Sequence, residues 1–310
     1  MSQIQTLRLQ LYRYLVQLFL SEKSKSKVEK LVLVVAILSY LVHLLFVFLN
    51  DNTLGIQSHH LFSNPVSAIY TPFSFILIYE VYLLIYYLPK STSIYIGKQY
   101  EIITLIVIRR IFKDIGGLNL NDTAHWFNNK YNVQFVCDIF TALLLFYMIY
   151  WFYQNIEYNK KSTLDIATKS SSNNKYLFFK NNIALVLIPS LFVLAIYSLY
   201  TWSVGFFYQH TPMTEILKNV NSVFFDDFFN VLIFIDVLLL LTSFFYSDKF
   251  HIIFRNSGFV ISTILLKMSF SVEGVVNNVL IIGATLFGLA LLVVYNQYEK
   301  TDEGKISITK

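Results

Sequence analysis

Six apolar runs, each close to the length of a bilayer crossing, restrict this chain more than any motif in it. They extend from Leu31 to Leu49, Ser67 to Leu88, Phe135 to Tyr153, Ile183 to Gly205, Asn230 to Tyr246 and Val275 to Tyr295. An α-helix needs about 20 apolar residues to cross the hydrocarbon, and a helix satisfies its own backbone polar groups there. Composition agrees. Hydrophobic residues make up 55% of the chain and charged residues 14%, against about 25% charged in a soluble domain. The net charge of +5 does not predict a nucleic-acid partner, because the basic residues collect between the apolar runs. The bilayer is the expected partner, with a second copy or other subunits of a membrane complex as further candidates.

Chemistry-bearing motifs are few. Cys137 is the single cysteine, so no intramolecular disulfide can form and no Cys/His metal pattern exists. No HExxH, GxSxG, P-loop or GxGxxG occurs, and ten glycines leave little for a phosphate cradle. Neither an enzymatic activity nor a cofactor is expected. Asp226, Asp227 and Asp236 could suggest an intramembrane carboxylate dyad. However, Asp236 lies about 14 Å along one helix from the other two.

The first thirty residues do not read as a signal peptide, since Arg13 interrupts the apolar stretch and no small-residue cleavage site follows. Ile4, Leu7, Leu11, Tyr14, Leu15 and Leu18 recur at helical spacing. This predicts an amphipathic helix, lying on the membrane surface or on the protein's own cytoplasmic side. "SEKSKSKVEK" is expected to form a hydrated basic turn before the first span.

Two weaker segments decide the number of spans: Tyr100 to Gly117 and Ser257 to Gly274. Each is short and carries a cation. If both cross, nearly all lysines and arginines fall on one side, as cytoplasmic loops require, and only Lys130 and Lys218 lie outside. If neither crosses, the lysine-rich stretch 155–182 lands outside. The expectation is therefore an all-α, polytopic inner-membrane protein of eight transmembrane helices with both termini cytoplasmic.

Eight spans expose an internal repeat. "FILIYEVYLL" (Phe75 to Leu84) aligns with "VLIFIDVLLL" (Val231 to Leu240), setting Glu80 against Asp236. "TLIVIRRIF" aligns with "STILLKMSF", setting Arg109 against Lys267 and Gly116 against Gly274. The rare polar residues match in type and order, an acid in the second helix of each half and a base in the third. Two tandem four-helix units are expected at 31–154 and 183–296. Residues 1–30 precede them as the amphipathic helix and basic turn, 155–182 join them as a polar cytoplasmic linker, and 297–310 form a cytoplasmic tail. An even number of spans per unit relates the halves through an axis along the membrane normal.

An ionised group in hydrocarbon must be paired, neutralised or expelled. Counting about 1.5 Å per residue puts Glu80 at a depth matching Arg109 and Arg110, and Asp236 at a depth matching Lys267. The predicted charged centres are therefore Glu80 with Arg109 or Arg110, and Asp236 with Lys267. Asp138, with Asn277 and Asn278 at the corresponding place in the second half, could extend a polar path. His43 is expected to be a satisfied core residue, whereas His59, His60, His125 and His210 fall in outer loops. A metal site there would have to be gathered from distant loops and is not expected. Pro72 and Pro189 lie inside spans and could kink them.

Each half resembles the small four-helix membrane proteins of the phosphate-starvation-inducible PsiE family. The resemblance rests on an acid-bearing second helix, "LIYEVYLLIYYLP", and a third helix ending in arginine, "YEIITLIVIRRIFKDI". It covers about a third of the chain, and the second half departs from it at Asp236 and Lys267. It implies a four-helix unit, duplicated here, and brings no established activity. Helix acids set against cations on a neighbouring helix are also similar to voltage-sensor domains. Those domains need arginines at every third position of the fourth helix, whereas these cations are few and lie on the third. The function expected is conduction or transport of a small ion or protons through the charged centres. The alternative is a scaffold or signalling subunit whose ion pairs only fix packing.

Overall fold

A computed structural model describes residues 3–49, 68, 70–115, 129–163, 171–208, 213–246, 249–272 and 274–308. The described chain is all helical: α1 (Gln3–Phe19), α2 (Glu22–Leu49), α3 (Tyr70–Tyr87), α4 (Thr92–Ile115), α5 (Lys130–Thr163), α6 (Ser171–Tyr208), α7 (Met213–Tyr246), α8 (Phe250–Phe270) and α9 (Val275–Ile308). Five of these helices contain stretches long and apolar enough to cross a membrane: Glu22–Leu49, Lys130–Glu157, Phe228–Phe245, Phe250–Phe270 and Val275–Thr301. The weak segment after Ser257 is thus part of an apolar helix of spanning length. α4 is not among the five, since Lys98, Glu101, Arg109 and Arg110 are spread along it. The chain carries the helices of a membrane protein.

Local chemistry accounts for several helix boundaries. The basic stretch "SEKSKSKVEK" is helical rather than a turn. Ser21 accepts the backbone N–H of Ser24 at 3.2 Å as an N-cap, and Glu22 complements the positive end of the helix dipole. Only Leu20 and Ser21 separate α1 from α2. Pro72 stands in the first turn of α3, where a missing N–H costs no helical bond, while Pro189 lies within α6. Most of the expected polar linker is also helical, with 155–163 continuing α5 and 171–182 opening α6. Between α8 and α9, Gly274 adopts φ 80°, a turn conformation disfavoured for other residues.

The helices gather into two compact units, each drawing on both halves of the sequence. The first comprises 1–89, 115–117 and 181–228; the second comprises 90–114, 118–180 and 229–310. In the first unit α2 packs on α3, and α1 packs on α2. Tyr79, Tyr82 and Tyr86 recur on one face of α3, with successive ring centroids 6.4 Å apart. Their hydroxyls tie the unit together. Tyr79 donates to Glu29 at 3.1 Å, Tyr86 to Glu22 at 2.6 Å, and Tyr82 to the carbonyl of Phe19 at 2.8 Å. Leu7, Tyr14 and Leu18, on one face of α1, stay exposed. α2 is the least covered span, with 11% of its apolar window buried.

In the second unit α9 packs against both α8 and α5. At its centre Tyr100 meets Phe152 edge-on at 5.2 Å, and Phe152 lies 6.0 Å from Phe259. The Ser262 hydroxyl donates to the Ala284 carbonyl at 2.7 Å, so the Tyr100 hydroxyl is the donor in its 2.7 Å bond to Ser262. Gly288 makes this contact possible: a Cβ there would lie 1.7 Å from the Tyr100 hydroxyl oxygen.

Candidate functional site

Two polar clusters lie inside the second unit, and three of the six sequence-predicted charges, Arg110, Asp138 and Asp236, belong to one or the other. The first joins α4, α5 and α9. Asp138, fully buried on α5, accepts Arg110 Nε on Oδ2 at 2.5 Å and Arg110 Nη2 on Oδ1 at 2.7 Å. Its Oδ1 also accepts Gln134 Nε2 at 2.6 Å and Asn278 Nδ2 at 2.7 Å. The guanidinium extends further, with Nη1 donating to Asn277 Oδ1 at 2.8 Å and Nη2 to Asn278 Oδ1 at 2.5 Å. Asn277 in turn donates to the Ser269 carbonyl at the end of α8. A bidentate Arg–carboxylate pair whose carboxylate accepts two further amide N–H groups is an arrangement that makes a buried charge tolerable.

This network corrects the predicted pairing of Arg110 with Glu80. Arg109 and Arg110 are adjacent, and successive residues point about 100° apart on a helix, so depth alone could not say which partner each would face. Asp138, Asn277 and Asn278, which the sequence sets at corresponding places in the two halves, share this one network: Asn278 donates to Asp138 directly and Asn277 joins it through Arg110. Glu80 is buried on α3 in the first unit and Arg109 is buried on α4 in the second; both have partners within the protein.

The second cluster surrounds Asp236, 4% exposed on α7. Gln99 Nε2 on α4 donates to its Oδ2 at 3.2 Å. The hydroxyls of Tyr95 and Thr263 stand beside the same carboxylate. Neither proton is committed to it: Thr263 donates to the Val260 carbonyl at 2.9 Å, and the buried Tyr95 hydroxyl lacks a hydrogen bond of full geometry. Lys180, at the start of α6 and 3% exposed, supplies the nearest positive field. Its ammonium donates to the Lys90 carbonyl at 3.1 Å. Burial, reinforced by the nearby Arg255 charge and partly opposed by Asp236, lowers Lys180 to about 8. Tyr95, Lys180, Asp236 and Asn256 all border a cavity of about 20 Å³, room for about one water molecule with several polar partners.

The predicted Asp236–Lys267 pair is not formed. Asp236 takes its neighbours from α4, α6 and α8, whereas Lys267, in the last turn of α8, donates to Asn230 Oδ1. Asn230 precedes Asp236 by six residues, about 9 Å along α7. Tyr95, Gln99 and Lys180 were not singled out in the sequence. Tyr95 and Gln99 are spaced i, i+4, which places them on one face of α4, and this was the available signal. His43 is satisfied as expected, with Nδ1 2.5 Å from the Thr71 hydroxyl. The outer-loop histidines, and the side chains of Asp226 and Asp227, lie outside the described residues. Among the described residues no three His, Cys, Asp or Glu side chains gather as a metal centre. Comparison of the chain with protein-family models, with curated proteins and with solved structures gives no match.

Proposed function

We propose that this is a multi-pass inner-membrane protein that moves protons, with Asp236 as the proton-bearing group and Lys180 as its exchange partner. The observation that carries this reading is the water-sized cavity shared by a carboxyl in a membrane-length helix and a buried amine. A proton held on the Asp236 carboxyl can pass to one water while that water gives a proton to the neutral Lys180 amine. The products are a carboxylate and an ammonium, and the exchange runs equally in reverse. Tyr95, Gln99 and Thr263 surround the carboxylate without an opposing charge in contact, so both protonation states remain accessible.

In this reading both termini and residues 155–182 are cytoplasmic, which sets Lys180 near the inner face, and eight crossings arise from two related four-helix sequences. The Arg110–Asp138 network favours a second role, that of scaffold, for its own part of the molecule. With every strong acceptor of Asp138 occupied, it is suited to hold helices rather than release protons.

Flux is the test. In vesicles holding a pH-sensitive dye, the reconstituted chain should dissipate an imposed pH gradient. Asp236→Asn, matched for folded yield, should abolish that flux. A folded Asp236→Asn protein with parental flux would rule out Asp236 as the carrier, and absence of flux in the parent would favour the scaffold.

A further inference from the structure

The first unit contains a cavity of about 540 Å³ walled by α1, α2, α3 and one residue of α6. That volume falls within the range of about 300–1,000 Å³ found for small-molecule sites. Its walls are almost entirely apolar, including Leu18, Val32, Ile78 and Ile188; the lining hydroxyls of Tyr79 and Tyr82 are bonded to Glu29 and the Phe19 carbonyl, and the polar side chains that α2 contributes, Ser24 and Lys27, lie at one end. Along α2 the lining runs from Ser24 to Val35, roughly 16 Å at the helical rise. This is about half of a 30 Å hydrocarbon core, the depth of one leaflet.

The charges at the polar end select the occupant. The two acids of α2, Glu22 and Glu29, accept hydrogen bonds from Tyr86 and Tyr79. Lys25 donates to Tyr87 at 3.2 Å. Lys27 is exposed and, among the described residues, makes no hydrogen bond or ion pair. An apolar slot one leaflet deep, ending in an uncommitted ammonium on a membrane-length helix, matches an acyl chain joined to an anionic head. We propose that this cavity binds one acyl chain of an anionic phospholipid, with Lys27 contacting its phosphate and α1 closing over the chain. The site does not depend on the proton-transfer reading.

The full chain, purified in mild detergent with equal phosphatidylglycerol and phosphatidylcholine, tests this by native mass spectrometry of retained lipid. Phosphatidylglycerol should be retained preferentially as a single bound molecule. Lys27→Gln should reduce that preference about fivefold, the effect of one basic residue on an anionic lipid. Val32→Trp, which fills the slot, should remove retention of both lipids. If that variant fails to fold, Lys27→Gln at its exposed position remains decisive. Equal retention of the two lipids by the parent, or an unchanged preference in Lys27→Gln, would overturn the proposal. Displacement of phosphatidylglycerol by inorganic phosphate would overturn it too, since the acyl chain would then contribute nothing.

Discussion

Neutralising one end of the Arg110–Asp138 pair should damage the protein less than neutralising the other, and the difference follows from exposure. The Asp138 side chain is 0% exposed and the Arg110 side chain 29%. Asp138→Asn keeps the shape but turns one acceptor into a donor that faces the N–H groups of Arg110, Gln134 or Asn278. Removing one member of a buried pair costs about 3–5 kcal/mol. The long, partly exposed Arg110 side chain can snorkel toward the interface, so Asp138→Asn belongs at the low end, about 3 kcal/mol. Arg110→Gln strands a carboxylate with no such outlet and belongs near 5 kcal/mol. Cys137 adjoins Asp138 and is half-buried, so a thiol-reactive fluorogenic dye can follow heat unfolding in detergent. At about 2–4 °C per kcal/mol for a unit of this size, Asp138→Asn should lower Tm by about 6–12 °C. The double variant should cost clearly less than the sum of the singles, since the two residues are in contact. Shifts under about 2 °C for both singles would show that the pair does not clamp the helices. A larger loss from Asp138→Asn than from Arg110→Gln would refute the exposure argument.

Lys180 should make stability depend on alkaline pH. Its folded value of about 8 lies below the ordinary 10.5, so the folded state disfavours the charged form. The unfolded chain then binds more protons between these values, and stability should rise with pH across about 8 to 10.5 by at most about 3 kcal/mol. Lys180→Met should abolish that rise, as read by denaturant unfolding at several pH values. For topology, a cysteine placed at Ser171 in a Cys137-free background should resist a membrane-impermeant thiol reagent applied from outside. Efficient labelling there would refute the cytoplasmic assignment of 155–182.

Helix content was legible because long apolar runs have few alternatives in a bilayer. The partners of the charges were less so. Depth counting pairs residues on consecutive helices. The Arg110–Asp138 pair does join consecutive helices, α4 and α5, but its link to α9 and the Gln99–Asp236 bond from α4 to α7 span distances along the chain that no local pattern encodes. Asp138, Asn277 and Asn278 were recoverable because polar residues are rare in such helices. The i, i+4 spacing of Tyr95 and Gln99 is a weaker signal, because an amide or a phenol on a partly polar helix such as α4 raises no alarm until a carboxylate is found against it. Lys180 falls in a stretch that reads only as a cationic linker, since its helical continuation into α6 carries no apolar periodicity at that point.

The missing side chain at Gly288 has a mechanical consequence. The Tyr100 hydroxyl occupies the space a Cβ would need, and it is fixed there by Ser262, itself bonded to Ala284 on α9. α9 is therefore indexed like a shaft with a notch. Sliding it by one residue, or turning it by about 100°, would bring Phe287 or Leu289 against the phenol and force the backbones apart. The contact thus fixes the register of α4 and α8 against α9 at this level.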